Sequence, residues 1–254
     1  MRVLLTGVKW DKVGMIGSQL SRFLKSQNIE VVEFEGDIRE EESYVKYYYQ
    51  RFDFIIHLAA RAGVLESFEK PEEYESINVE GTKNMLFFAH LKNIKILNAS
   101  SSNAWEWWLN PYATTKKGCE WMADSMRFSV KSIGMRFHTV WPGRDDMLFK
   151  KIERGDVTYI NTDHTRDFIH VLDLCEAIFT ILQNFDQVHH EKRVVDIGTG
   201  TEVSVLDVVT KYWNHEFPFP ELRTSTSKGE RIHTKADIDY LIKLGWKPKR
   251  FILE

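Results

Sequence analysis

The chain has 254 residues, 43% hydrophobic and 28% charged, with 34 Lys and Arg against 37 Asp and Glu. This composition excludes a disordered chain, and the net charge of −3 argues against a general nucleic-acid binder, which needs a basic face. No apolar run approaches the ~20 residues that span a bilayer, and two cysteines, Cys119 and Cys175, are too few for a disulfide framework.

Met1-Arg2 leads straight into an apolar run, so no secretory leader is expected, and a reducing cytoplasm is the expected home. Arg2–Thr6 reads as a buried parallel strand ending at a glycine, and Ile16–Lys25 follows with helical spacing at Ile16, Leu20, Phe23 and Leu24. Strands are expected at Glu30–Phe34, Phe54–Leu58, Ile94–Ala99 and Ile133–Thr139. Helices are expected between them at Glu40–Gln50, Val79–Leu91 and Tyr112–Phe128. Past about residue 142 the rhythm loosens into short strands at Val157–Ile160 and Arg193–Ile197. These mix with helices at Val171–Gln183, Val205–Trp213 and Lys235–Leu244. Strands alternating with helices predict an α/β fold, a doubly wound parallel sheet with helices on both faces. The later elements predict a small C-terminal α/β lobe. Residues 1–143, with 166–185 returning to them, are the expected sheet domain, and 144–165 plus 186–254 the expected lobe.

Glycine supplies the first chemical signal. Gly7 ends the first strand and Gly14-Met15-Ile16-Gly17 opens a helix, which suits a pyrophosphate resting on a helix N-terminus. Six residues, Val8 to Val13, separate the two glycine positions, so a flexible surface loop is the alternative. After the second strand come Glu33, Glu35 and Asp37. An acid there holds an adenosine ribose 2′-hydroxyl and repels a 2′-phosphate, while a solvated acidic turn is the plain alternative. The second signal is Tyr112-Ala-Thr-Thr-Lys116, whose ends share one helical face. A tyrosine acting as a base near neutral pH needs its phenolate stabilised by roughly 4 kcal/mol. A neighbouring ammonium and a cationic nicotinamide ring together supply that. The pair follows Ser100-Ser101-Ser102 at the end of a strand, where open parallel sheets place their ligands. No His-Glu-x-x-His or Cys-x-x-Cys occurs, so no metal site is expected.

Seven segments occur in order: Thr6-Gly7…Gly14-Met-Ile-Gly17, His57-Leu-Ala-Ala60, Asn78-Val-Glu-Gly-Thr82, Ser100-Ser-Ser102, Tyr112-Ala-Thr-Thr-Lys116, Arg166-Asp-Phe-Ile-His-Val-Leu-Asp173 and Asp196-Ile-Gly-Thr-Gly200. Together they resemble an extended short-chain dehydrogenase/reductase of the NAD-dependent nucleotide-sugar epimerase/dehydratase family, from residue 1 to about 250. The resemblance implies a Rossmann domain binding NAD and a lobe binding a nucleotide sugar. It implies cofactor contacts from Gly7, Gly14, Met15, Ile16, Gly17, Glu35, Asp37, Ile38, Leu58, Ala59, Ala60, Asn78, Tyr112 and Lys116. It gives catalytic roles to Ser101, Tyr112 and Lys116, with Tyr112 as base. It gives substrate contacts to Ser101, Ser102, Thr139, Arg144, Arg166, Lys228 and Arg231. It also implies a homodimer through the Val79–Leu91 and Tyr112–Phe128 helices, whose Met85, Leu86, Phe87, Phe88, Trp121, Met122 and Met126 exceed one core-facing stripe.

The chain departs from that pattern in several places. Its glycine loop is longer by about four residues than the compact fingerprint. The second strand runs almost directly into Gly36-Asp37-Ile38, where relatives have a separate third strand. The stretch from the serines to Tyr112 is short and holds Trp105, Trp107 and Trp108. Trp107 reads as loop packing, with stacking on a sugar or base as the alternative. The expected diphosphate arginine is replaced in Ser227-Lys-Gly-Glu230, leaving Lys228 or Arg231 to substitute. No carboxylic acid follows Ser101, since Ser102 and Asn103 come next, which removes the dehydratase pattern and leaves epimerisation. Gly134–Met147 is similar to the substrate segment of uronic-acid 4-epimerases, whose arginine, here Arg144, pairs with the sugar carboxylate. An interlobe salt bridge to Asp145 or Asp146 is the alternative. A reductase or epimerase-reductase, and a redox sensor without turnover, are the competing functions. No nucleic-acid or membrane partner is expected.

Overall fold

The computed structural model describes residues 1–8, 14–143, 147–224 and 229–254. In chain order, β1 (Arg2–Thr6), α1 (Met15–Ser26) and β2 (Glu30–Glu33) open the fold. A 3-10 turn at Glu41–Tyr44, α2 (Val45–Tyr48), β3 (Phe54–His57), α3 (Val64–Glu69) and α4 (Pro71–Tyr74) follow. A π-helical stretch at Glu75–Glu80 runs into α5 (Gly81–Lys92), then come β4 (Lys95–Ser101), a 3-10 stretch at Ser102–Leu109, α6 (Pro111–Ser125) and β5 (Ser132–Phe137). The remainder comprises β6 (Thr139–Trp141), α7 (Leu148–Arg154), β7 (Tyr159–Asn161), β8 (Thr165–Arg166), β9 (Phe168–His170), α8 (Val171–Gln183) and α9 (Phe185–Glu191). It ends with β10 (Val194–Ile197), β11 (Val203–Ser204), α10 (Val205–Tyr212), β12 (Glu221–Arg223) and α11 (Asp239–Lys243).

Six parallel strands form the main sheet in the order β10-β5-β4-β3-β1-β2. Among the described residues β2 is the edge of this sheet, with no separate third strand beyond it, and its residues are only partly covered. Both faces of the inner strands are buried, which is why they read as continuous apolar runs. Val3, Leu5, Ile56, Leu97, Ile133, Met135, Val195 and Ile197 pack on the face carrying α1 and α8. Leu4, Ile55 and Ile96 pack on the other face, against Met85, Leu86, Phe88 and Ala89 of α5 and Ala123 of α6.

Toward the carboxyl ends of the strands that second face turns polar. Thr6, His57, Asn98 and Gly134 lie in one register row, and Ser100, Arg136 and Asp196 in the next. Glu120 of α6 meets this second row. Arg136 donates Nε to Glu120 Oε1 at 2.7 Å and a terminal nitrogen to Oε2 at 2.7 Å, and Ser100 Oγ donates to Oε1 at 2.7 Å. Burial pushes the Glu120 pKa up, but the bonds and charges of Arg136, Ser100 and Lys117 prevail and hold it below the usual glutamate value.

A third, smaller core gathers Ile152, Ile160, Phe168, Val208, Val209, Trp213 and Ile252. The expected division needs correction, because residues 186–254 do not all belong to the lobe. Val194–Ile197 closes the main sheet beside β5, and Val188, Leu241 and Trp246 pack into the α1–α8 core. Alternating Val195 and Ile197 are the physical reason, since both bury on the main-sheet face. The dimer reasoning also needs correction. Met85, Leu86 and Phe88 are buried inside the subunit, and Met122 and Met126 pack on the same cluster, so they are not surplus surface. Phe87, Leu91, Trp121 and Phe128 remain exposed.

Arg136→Met leaves the Glu120 carboxylate buried without its guanidinium and is expected to destabilise the fold by about 3–5 kcal/mol in denaturant unfolding. Adding Glu120→Leu in the same chain recovers most of that loss, because the stranded charge is then gone.

Candidate active site

Gly7 leaves β1 at φ +77°, and a Cβ there would lie 2.7 Å from the Ala59 amide nitrogen. A Cβ on Gly14 or Gly17 would overlap the Gly7 carbonyl oxygen. Only glycine therefore lets the end of β1, the start of α1 and the segment after β3 pack this closely. Gly14 caps α1 without a side chain, and the first turn, with Met15 and Ile16, carries no acid. That N-terminus suits a pyrophosphate, so these residues fit the dinucleotide. Thr6 Oγ1 accepts from the Leu58 and Ala59 amides at 3.1 and 3.0 Å, fixing Leu58, Ala59 and Ala60 beside the glycines.

With both lone pairs so used, the Thr6 hydroxyl donates to His57 Nδ1 at 2.8 Å. His57 Nε2 then donates to Thr82 Oγ1 at 3.2 Å. Burial, aided by the nearby Lys116 charge, pushes the His57 pKa down to about 3, so the ring is a neutral brace.

The three acids at the end of β2 and just beyond it separate. Glu33 accepts from Ser21 and Lys25, and Glu35 pairs with Lys46 at 2.6 Å with its side chain 79% exposed. Asp37 takes Arg39 in a forked pair at 3.0 and 2.5 Å, and this bond leads in holding its pKa below the usual aspartate value. Arg39, two residues on, thus sits directly on Asp37. Ile38 is buried, filling the space that a Cβ on Gly81 would need. Asn78, expected to touch the cofactor, is fully buried. Its Oδ1 accepts from the Arg61 amide at 2.7 Å, and its Nδ2 donates to the Arg61 carbonyl and Thr115 Oγ1, both at 3.0 Å. Asn78 is a brace between the segment after β3 and α6, which corrects the expected direct contact.

Ser101 ends β4, and its Oγ accepts from the Asn103 amide at 3.2 Å. The 3-10 stretch then leads to Asn110, whose Oδ1 caps α6 through the Ala113 amide at 2.7 Å. Pro111 suits the first helical position. Tyr112 and Lys116 follow on one face. Tyr112 meets Tyr74 edge-on at 6.1 Å, and buried Lys116 donates to the Ala99 carbonyl at 3.0 Å. Trp107 packs edge-on against Trp108 and Trp121, as loop packing requires.

A cavity of about 430 Å³ opens at Ser102 and Asn103, the two residues after Ser101. Ser102, Asn103, Thr139, Arg166, Glu230 and Arg231 supply its polar wall, and Trp141, Phe149 and Tyr159 line it too. Arg166 is fixed by bonds to the Thr165 and Ile232 carbonyls at 2.7 and 2.9 Å. Burial lowers its pKa, against the charge of Glu230. Arg231 donates to the Ser102 carbonyl at 2.8 Å and pairs with Glu106 at 2.5 Å. Arg144 and Lys228 lie outside the described residues.

Sequence reasoning missed what fixes this wall. Asp167, fully buried, accepts from the Thr199 amide and hydroxyl at 2.6 and 2.8 Å, and from the Gly200 and Ala236 amides at 2.8 and 3.0 Å. It draws three separate segments together beside Arg166. The only advance signal was its place inside the Arg166–Asp173 motif.

Acidification should expose the His57 brace. The unfolded ring titrates near 6.5 and the folded ring near 3, so below about pH 6.5 the unfolded chain binds a proton that the native one refuses. Stability falls as pH drops through that window. In His57→Asn the slope of unfolding free energy against pH should be shallower by up to ~1.4 kcal/mol per pH unit.

Residues 3–198 match the NAD dependent epimerase/dehydratase family. The chain is 38% identical over 198 residues to a probable UDP-glucuronate 4-epimerase of Rhizobium meliloti, covering 62% of this chain and 58% of the relative. It is 27% identical over 247 residues to a putative UDP-glucose 4-epimerase of Methanocaldococcus jannaschii, covering 84% of this chain and 78% of the relative. A Bifidobacterium longum UDP-glucose 4-epimerase structure, in complex with NAD⁺ and UDP, superposes with a TM-score of 0.82 at 22% identity. It covers 100% of this chain and 95% of that one, which shows a shared fold. The chain therefore belongs to the NAD-dependent epimerase/dehydratase family of extended short-chain dehydrogenases/reductases.

Proposed function

We propose that this protein is a nucleotide-sugar epimerase acting on a UDP-hexose or UDP-hexuronate through a transient keto sugar. The observation that carries the reading is that Tyr112 and Lys116 share one face of α6, with Lys116 bonded to Ala99 two residues before Ser101, while the cavity that holds Arg166 and Arg231 begins at Ser102, the residue after Ser101. The first-turn amides of α1, with Gly7, Gly14, Met15, Ile16 and Gly17, hold the NAD pyrophosphate, beside Leu58, Ala59 and Ala60. Asp37 and Ile38 meet its adenosine end. Bound NAD supplies an acceptor that takes a hydride from the sugar carbon and later returns it. Tyr112 Oη removes the proton from that carbon's hydroxyl, leaving a carbonyl, and gives it back when the opposite face is reduced. Lys116 holds the nicotinamide ribose and, as an ammonium, favours the phenolate. Ser101 bonds the sugar hydroxyl, and Ser102, Thr139, Arg166 and Arg231 line the sugar diphosphate. Lobe residues 144–165 and most of 186–254 carry the nucleotide.

Epimerisation is favoured over dehydration because no carboxylate follows Ser101, and the nearby Glu106 is engaged by Arg231. A cytoplasmic setting suits the unpaired thiols of Cys119 and Cys175.

Purified protein should interconvert UDP-glucose and UDP-galactose, or the matching uronates, without net NADH consumption. Steady consumption of NADH would instead identify a reductase. Tyr112→Phe should lower turnover at least ~10²-fold while NAD still binds. Lys116→Met should impair both, and Ser101→Ala should be milder.

The reading includes a homodimer built on α5 and α6. Phe87, Leu91, Trp121 and Phe128 are 57%, 54%, 52% and 91% exposed on and beside those helices. Buried together against a second copy, such residues suit an isologous contact. Light scattering at micromolar concentration should give a dimer mass, and Trp121→Glu should shift it to the monomer. A monomeric wild type would contradict the interface.

A further inference from the structure

We propose that Trp105 is a positioning residue that fixes Ser101 and Tyr112 by pinning the short segment between them to the buried polar row of the main sheet. The inference rests on the epimerase reading for its catalytic consequence, and on geometry alone for the anchoring. The segment Ser102–Leu109 is a 3-10 stretch broken at Glu106, where φ is −114° and ψ is 57°. Such a stretch has little internal support, because 3-10 hydrogen bonds are poorly aligned and runs beyond a few residues are uncommon. Its shape is imposed from outside.

Trp105 supplies two of the external contacts. Its indole Nε1 donates to Asp196 Oδ2 at 3.2 Å, and its ring covers the Arg136 guanidinium, with Cζ 4.2 Å from the ring centroid. Both partners are themselves fixed. Arg136 is forked onto Glu120, four residues beyond Lys116 on α6, and Asp196 lies on β10, 3.9 Å from both Arg136 and His138. Glu120 in turn accepts from Ser100, the residue before Ser101. One connected set of contacts thus holds β4, α6 and the segment joining them. Although the tryptophan is 52% exposed, its anchoring atoms rest on buried charge, so its value lies in orientation rather than in burial. A displacement on the order of 1 Å at a reacting group can cost ~10²-fold in rate, so loosening this anchor should act on the chemical step.

The test compares wild type, Trp105→Ala and Trp105→Phe by steady-state interconversion of UDP-sugars, NAD titration, and hydrogen exchange of the peptide spanning residues 101–112. Trp105→Ala should lower kcat about 10- to 100-fold, with KM and NAD affinity within about threefold. Its 101–112 peptide should exchange faster, with the rest of the chain unchanged. Trp105→Phe keeps a ring over Arg136 and should recover most of the kcat and protection. An unchanged kcat in an active enzyme, equal damage to NAD affinity, or a phenylalanine variant as poor as alanine would overturn the role. If wild type turned over no nucleotide sugar, the epimerase reading would fail, and the exchange comparison would still decide the anchor: unchanged protection in Trp105→Ala overturns it.

Discussion

The forked pair between Glu120 and Arg136 fixes the helix that carries Tyr112 and Lys116 to the sheet that carries Ser101. Burying two charges is costly, and such a pair is seldom a net source of stability over an apolar substitute. Its value here is directional. A greasy contact between α6 and β5 would tolerate sliding by a fraction of a turn, whereas two parallel 2.7 Å bonds allow one register. The Ser100 hydroxyl on the same carboxylate oxygen extends that constraint to β4. The positions of the proposed hydroxyl, phenol and ammonium groups therefore follow from one buried ion pair.

The sheet explains why polar groups gather there. Parallel strands must bury both faces, and along most of their length they do so with aliphatic side chains. At the carboxyl ends the face beneath α5 and α6 changes from Leu4, Ile55 and Ile96 to Thr6, His57 and Ser100. Several polar groups in this transition are matched locally: Thr6 to two amides, His57 to two hydroxyls, Asn78 to a peptide and Thr115. The edge strand β2 borders β1, which carries Thr6, while Ser100 and Arg136 stand on β4 and β5, further toward the β10 edge.

Period and punctuation made most of the architecture legible. Val171–Gln183 was readable to the residue because its buried positions recur at helical spacing, and the inner strands because they are continuous apolar runs. The short helices at Val64–Glu69, Leu148–Arg154 and Phe185–Glu191 were not, since six or seven residues carry too few repeats to reveal a period. Likewise β10 looked like part of a lobe, because nothing local says which sheet a four-residue strand will join. In the site, Tyr112, Lys116 and the glycines were legible from spacing. Asn78 was placed in the right neighbourhood with the wrong task, since its partners Arg61 and Thr115 are 17 and 37 residues away. Asp167, Trp105 and Arg136 were silent for the same reason: their roles exist only in contacts between distant segments.

The charge balance of the cavity follows from such contacts as well. Arg166 and Arg231 bring two permanent positive charges to its wall, and Glu230 and Glu106 stand beside them. Free guanidinium groups would have to be ordered on binding an anion, at a cost in side-chain entropy. Here Arg166 already spends donors on two carbonyls, and Arg231 on a carbonyl and a carboxylate. Each arginine carries five N–H groups in a rigid fork, so fixing two of them aims the rest without removing the charge. The same bonds tie Arg231 to Ser102 and to the segment leading to Tyr112. The proposed diphosphate contacts and the placement of the proposed base are therefore two ends of one hydrogen-bonded connection, and a change at Glu106 or Arg231 reaches both.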